Sequence, residues 1–371
     1  MCIRPRRRFA FQLAGLTLAI ATTLPAFAAG DDASFREGKV FTSTNGAGGN
    51  ELLVFAPGKS GELALAVRVA TGGQGTGAGL GSQGAVALSS NGRHAFVVNA
   101  ASHTLSAFAI RDHKVELSSV VDSGGLTPVS VTEHDGIVYV LNAGGAGNVA
   151  GFRMTQGQLQ QLPNSSRGLS AAGGTGPAQV SFGADGEVLV VTEKATSRIT
   201  SFPVRRDGTL GPVVITPSSG ATPFGFAFDR RDHLIVSEAP GSAASSYRFR
   251  DDSAVPMLVS ASVPNTQAAA CWLAVTPNGR YAYTANAGSS SISSYSIDRS
   301  GNIALVNAVA GSTGVNAGAL DLAVSSDGRK LFALASRSLQ VVSFKVEYDG
   351  SLTTLGVGSG LPVGSAGMAA N

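Results

Sequence analysis

The hydrophobic and polar positions of this chain follow one pattern that returns about every 43–54 residues: an apolar strand, an Asp-Gly or Asn-Gly turn, a second apolar strand, then Asn or Glu. Clear copies are AVALSSNGRHAFVVN (Ala85 to Asn99), AQVSFGADGEVLVVTE (Ala178 to Glu193), WLAVTPNGRYAYTAN (Trp272 to Asn286) and DLAVSSDGRKLFALA (Asp321 to Ala335). Degenerate copies lie at Val129 to Asn142 and Phe224 to Glu238. After each copy comes a second hairpin of alternating apolar residues, as in RITSFPVRRDGTLGPVVI and LQVVSFKVEYDGSLTTLGV, turning at Asp207-Gly208 and Asp349-Gly350. Glycine after Asp or Asn supplies the positive φ that tight hairpin turns require.

Each unit therefore predicts four antiparallel strands, A to D. Four-stranded units repeated at a fixed period are arranged radially, so the fold class is all-β: a β-propeller. Six A strands follow Ala85, whereas the segment from Lys39 to about Val69 supplies three strands (KVFTSTN, NELLVFA and LALAVRV) and lacks its own A strand. The tail Gly367 to Asn371 has the composition to replace it. The expectation is seven blades, with a C-terminal strand completing the first blade and hiding both edges of the ring.

The first residues do not share this pattern. Arg4, Arg6, Arg7 and Arg8 precede an apolar run from Phe9 to Leu24, and Ala26-Phe27-Ala28 forms a small-x-small site. Residues 1–28 read as a cleaved secretory signal peptide rather than a membrane span, leaving residues 29–371 as one propeller domain in the periplasm or outside the cell. The flanks of the arginine run fit the ordinary secretory route better than the twin-arginine one. Cleavage removes four of the 27 bases and none of the 24 acids, so the mature chain has one acid in excess. No basic patch for nucleic acid and no polybasic membrane anchor remain. Cys271 becomes the single cysteine of the mature chain, which excludes an internal disulfide. A ring that buries its own edges is expected to be monomeric.

Topology sorts the chemistry onto two faces. Strand A descends from a top face, so B–C loops and D–A connections lie on top, and A–B and C–D turns lie below. His94, His113, His134 and His233 fall at lower turns and read as solvated turn residues; His103 alone is on top. This disfavours a poly-histidine metal site or a His-dependent triad. Strand B ends on top at Asn45, Asn99, Asn142, Glu193, Glu238, Asn286 and Ala335, one per blade. The asparagines read as turn caps. Glu193 and Glu238 have three readings. They form a paired general acid/base at the channel mouth, they bind Ca²⁺ with Asn142 or Asn286, or they are surface glutamates paired with Lys194 and Arg198. Arg198 opens strand C on top, where it serves either an anionic substrate or a salt bridge to Glu193. Gln83, Gln179, Trp272 and Asp321 start A strands near the top of the channel. Gln179, Trp272, Asp321 and Lys194 complete the candidate substrate-binding set, with a packed core role the alternative for Trp272. Cys271 reads as a buried, inert small hydrophobe.

The segments GTGPAQVSFGADGEVLVVTEKATSRITSFPV, ATPFGFAFDRRDHLIVSEA and ACWLAVTPNGRYAYTANAGSSSISSY resemble the bacterial lactonase family of seven-bladed propellers, which includes 6-phosphogluconolactonase-like and carboxymuconate-cyclase-like proteins. The resemblance covers nearly all of the mature chain. It implies His, Arg and Glu around the channel with no obligatory metal. On that basis Glu238 matches the family's Glu at the end of strand B in blade 5, and Arg198 stands where family members often carry Arg. The chain departs from the family's Pro-His-His or Pro-Arg-His before strand A: it has Gly176-Pro177-Ala178-Gln179 and Thr222-Pro223-Phe224-Gly225. The missing imidazole and guanidinium argue against sugar-phosphate recognition there.

Two functions follow as expectations. One is a lactone-opening hydrolase in which Glu193 or Glu238 activates water and Arg198 stabilises the oxyanion, with no cofactor; a Ca²⁺-dependent site is a minor variant. The other is a non-catalytic propeller that binds a ligand or a protein on its top face, through small polar loops such as Asn142 to Asn148 and Asn286 to Ser291.

Overall fold

The computed structural model describes residues 38–371 except 58–61, 112–113 and 251–252. The expected signal peptide and His113 lie outside the described residues. Within them the chain is all-β, with no helix, in seven sheets of antiparallel strands. Blade 2, for example, runs outward as A (Val86–Leu88), B (His94–Asn99), C (Thr104–Arg111) and D (Lys114–Asp122). The A strands touch one another in sequence around a closed ring, and so do the outer strands for much of the circumference.

Blade 1 is closed as expected. Its B, C and D strands are Val40–Ser43, Glu51–Pro57 and Leu63–Ala70, and its A strand is the C-terminal Ala366–Ala370. The two chain ends pair antiparallel, with Val40 opposite Ala370 and Thr42 opposite Met368.

The long apolar runs of the B strands follow from burial on both faces. Successive residues of a strand point to opposite sides. In blade 2, Ala95 and Val97 pack towards blade 1 while Phe96 and Val98 pack towards blade 3. Seven apolar clusters result, one at each blade–blade interface. Strand D faces solvent on one side and alternates instead, as in Leu63–Ala70.

Two features depart from a regular repeat. The outer strand of blade 3 is split into Gln158–Gln161 and Arg167–Gly168. Between them Pro163 cannot donate to a ladder, and Asn164 takes a left-handed φ of 58°. In addition, the A strands of blades 1 and 3 to 7 carry a register shift near the top, for example between Pro177 and Gln179 and between Ala270 and Trp272. Bulges at a rim re-aim side chains, and these sit where the A strands surround the axis.

Candidate functional site at the top face

The axis is closed near its top by the connection that enters blade 2. Gln83 donates its backbone N–H to Ala178 O of blade 4 at 3.0 Å. Its side chain bonds blade 6 twice, donating to Leu273 O at 2.6 Å and accepting from Leu273 N at 2.9 Å. Trp272 Nε1 donates to Ser82 O at 2.9 Å. Gly225 makes room for this bridge: a Cβ there would lie 2.1 Å from Gln83 Oε1. Gln179 makes a similar two-way bond to the neighbouring blade, donating to Phe226 O at 2.9 Å and accepting from Phe226 N at 2.7 Å. Gln83 and Gln179, both expected near the top of the channel and Gln179 also as a substrate-binding candidate, thus tie strands of different blades together. Trp272 is 7 % exposed and packs against Phe224, with ring centroids 4.9 Å apart.

The residues ending strand B share one structural task. Each polar member bonds the connection arriving from the preceding blade. Asn99 Oδ1 accepts from Thr71 Oγ1 at 2.7 Å. Asn142 Nδ2 donates to Ser123 O at 3.1 Å. Asn286 Oδ1 accepts from Asn265 Nδ2 at 2.9 Å. Asn45 Nδ2 donates to Gly364 O at 3.4 Å. Ala335 of blade 7 has no such group, and Ser336 Oγ bonds Gly318 O instead.

Both glutamates take the same position, which explains why a carboxylate substitutes for Asn there. Glu193 is fully buried. Its Oε1 accepts from Ser170 N at 3.0 Å and Thr200 Oγ1 at 2.6 Å, and its Oε2 accepts from Thr196 Oγ1 at 2.7 Å and from Ser170 Oγ. Glu238, 2 % exposed, uses only Oε1, which accepts from Gly220 N at 2.8 Å and from Ser245 Oγ. No hydrogen bond reaches Glu238 Oε2 among the described residues. The glutamates are therefore neither surface groups paired with Lys194 and Arg198 nor members of a ring converging on one cation. Among the described residues no group of three or more His, Cys, Asp or Glu side chains is placed to hold a metal ion.

Lys194 donates to Gly81 O and lies over the Phe224 ring, 5.0 Å from its centroid. Burial pulls its pKa below the usual lysine value, while the Cys271 thiol beside it acts in the opposite sense. Burial pushes the half-buried Cys271 thiol up to about 11, which keeps it protonated and inert near neutral pH. Arg198, half-buried, makes no hydrogen bond or ion pair among the described residues. It pairs across the sheet with Glu193 and, on its other side, with Pro217. The connection that follows Pro217 is fixed by Ser218 N to Ser197 O, 3.0 Å, and by Gly220 N to Glu238. Arg198 and Glu238 are thus both held against residues 217–222. Asp321, 3 % exposed, accepts from Gly367 N at 3.1 Å, and burial pushes its carboxyl up to about 7.

Comparison with known proteins agrees with this architecture. The sequence matches the family described as lactonase, 7-bladed beta-propeller, over residues 131–264 and 235–321, which together span half of the chain. The chain belongs to this lactonase family. The periplasmic gluconolactonase of Pseudomonas aeruginosa is 16% identical, with a TM-score of 0.69, covering 90% of this chain and 98% of that one. A Bacteroides fragilis protein provisionally named a 6-phosphogluconolactonase is 14% identical, with a TM-score of 0.67, covering 92% of this chain and 100% of that one. Virginiamycin B lyase from Staphylococcus aureus is 13% identical, with a TM-score of 0.52, covering 74% of this chain and 84% of that one. Identities this low establish a shared fold, and one fold hosts different chemistries. A comparison with curated proteins finds no match.

The structure also corrects one lower-face expectation. His233 is not a solvated turn residue: it is 7 % exposed and its Nδ1 lies 2.9 Å from Asp229 Oδ2. The signal was present in the turn motif. Blades 2, 6 and 7 carry Ser89, Thr276 and Ser325 where blade 5 has Asp229, and each of those hydroxyls accepts from the backbone N–H five residues on. Asp229 Oδ1 accepts likewise from His233 N, here four residues on, and Oδ2 is left to hold the ring.

Proposed function

We propose that this propeller is exported and opens lactones at its top face, beside the connection 217–222. The observation that carries the reading is the contrast between the two glutamates. Glu193 has both carboxylate oxygens committed, whereas Glu238 keeps Oε2 free of hydrogen bonds and shares its connection with the unpartnered Arg198. A lactone is an ester, so a carboxylate that takes a proton from water and a cation that steadies the oxyanion supply the help the reaction needs. In this scheme Glu238 takes the proton of the water that adds to the carbonyl carbon and returns it to the ring oxygen as the acyl C–O bond breaks, while Arg198 faces the carbonyl oxygen and then the product carboxylate. Glu193 acts as a clamp. Lys194 and Trp272 border the mouth on the blade 2 side, and Gln179 and Asp321 hold the A strands around it. Access to Glu238 requires residues 217–222 to lift. Membership of the lactonase family supports the reaction class, and the basic, apolar and small-x-small succession in residues 1–28 supports export.

The test is steady-state hydrolysis by wild type, Glu238→Gln and Arg198→Ala. Glu238→Gln is expected to lose about 100-fold or more in kcat, the usual scale for a general base, at unchanged thermal midpoint. Unchanged kcat would remove Glu238 from the reaction. The second reading, a non-catalytic ligand-binding propeller, is favoured by the closure of the axis by Gln83 and Trp272. It predicts saturable binding to the wild type without turnover.

A further inference from the structure

A second site lies on the lower side of the molecule, in the cleft between blades 5 and 6. A cavity of about 450 Å³ opens there, lined by His233, Arg248, Leu258, Val259, Arg299, Ser300 and Asn302. Arg248 is the direct cross-strand partner of His233. Arg299 and Ser300 come from the turn between strands C (Ser291–Ile297) and D (Ile303–Ser312) of blade 6.

The cavity brings together two guanidiniums that lack a direct partner among the described residues. Neither guanidinium makes a hydrogen bond or ion pair among the described residues. Asp298, the acid in the same turn, is committed to Ser300 N at 2.8 Å, Asn302 N at 2.9 Å and Asn302 Nδ2 at 2.8 Å. Asp229 is committed to Arg231 N, His233 N and the His233 ring. The imidazole is also built in rather than incidental. Its Nδ1–H donates to the buried Asp229 carboxylate, which fixes the ring and leaves Nε2 as its remaining polar atom. Gly301, at a φ of 85°, lets the turn approach the ring: a Cβ there would meet His233 Cδ2 at 2.6 Å and Nε2 at 3.0 Å.

We propose that this cleft binds a small phosphate monoester. Two planar guanidinium forks match phosphate oxygens in bidentate fashion. The Ser300 hydroxyl adds a single donor, His233 Nε2 borders the same cavity, and Leu258 and Val259 give an apolar wall for the rest of the ligand. The site is separate from the top-face chemistry and does not depend on it.

The experiment is calorimetric titration of the mature protein with inorganic phosphate at fixed ionic strength, with Arg248→Ala, Arg299→Ala and Arg329→Ala alongside. Arg329 is a comparably exposed arginine on a lower turn of blade 7, so its removal changes net charge equally without touching the cleft. Saturable binding by wild type and Arg329→Ala, weakened roughly tenfold or more in each cleft variant, is the expected result for loss of a bidentate guanidinium. Three results would overturn the proposal: no saturable binding by wild type, equal weakening in all three variants, or association with phosphatidylglycerol vesicles without binding of inorganic phosphate. Matching far-UV spectra and thermal midpoints confirm that the variants are folded.

Discussion

Removing Gly367 to Asn371 should unfold much more than the five residues removed. The perturbation takes away most of strand A of blade 1, whose antiparallel pairing with Val40–Ser43 closes the first blade. Met368, 6 % exposed, sits in the interface between blades 7 and 1, and burying a side chain of this size contributes about 1.5–3 kcal/mol. The ladder to Val40–Ser43 is lost, with Gly367 N to Asp321 at 3.1 Å, Lys39 N to Asn371 Oδ1 at 3.0 Å and Asn371 N to Lys39 O at 3.2 Å. At about 1 kcal/mol net for each hydrogen bond, the whole loss is about 5–8 kcal/mol. That approaches the about 5–15 kcal/mol by which ordinary domains are stable. It also exposes the inner edge of Val40–Ser43, an invitation to aggregate. Thermal unfolding followed by far-UV circular dichroism should show a midpoint lower by at least about 10 °C, or loss of a cooperative transition. Adding a peptide of residues 366–371 should restore part of the difference. A truncated protein whose midpoint stays within about 2 °C of the full chain would refute the reasoning, because blade 1 would then be stable without its C-terminal strand.

Other outcomes follow from the top face. Asp321→Asn should stabilise the protein above pH 7. Burial raises the folded carboxyl to about 7, so between 3.8 and 7 the native state holds a proton that the unfolded chain releases, and wild-type stability falls as pH climbs through that window. The gap between the two values corresponds to about 4 kcal/mol. Chemical denaturation of both proteins at pH 4 and pH 8 should therefore show a difference only at pH 8, and a difference independent of pH would count against the assignment. Glu193→Ala should cost on the order of 3–5 kcal/mol, since it leaves the Ser170, Thr196 and Thr200 donors without their carboxylate. A midpoint equal to wild type would show that Glu193 is not a clamp.

The fold was legible because the pattern that encodes it is local and repeated. The apolar runs of strand B, the Asn-Gly and Asp-Gly turns and the missing A strand before Val40 each constrain the answer, and all agree. The site was less legible. Counting one residue per blade brought Glu193, Glu238 and the asparagines into one class, and the structure keeps that class. It could not reveal that their side chains turn towards the incoming connection, because that depends on where Thr71, Ser123, Ser170 and Gly220 arrive from the blade before. Nor could the pattern show that Gln83 crosses the axis to Leu273, a contact 190 residues apart that needs Gly225 on a third blade. The Asp229–His233 pair was readable in principle. An acid stands in a turn position that takes Ser or Thr in blades 2, 6 and 7, and only the position of the second oxygen tells what it holds.

The most direct test of the account is a pH-indicator assay of the mature protein against a broad panel of lactones, each run with and without a chelator. The account predicts turnover of at least one lactone that survives chelation and is lost in Glu238→Gln. Absence of turnover across the panel, or turnover that Glu238→Gln retains, would contradict it.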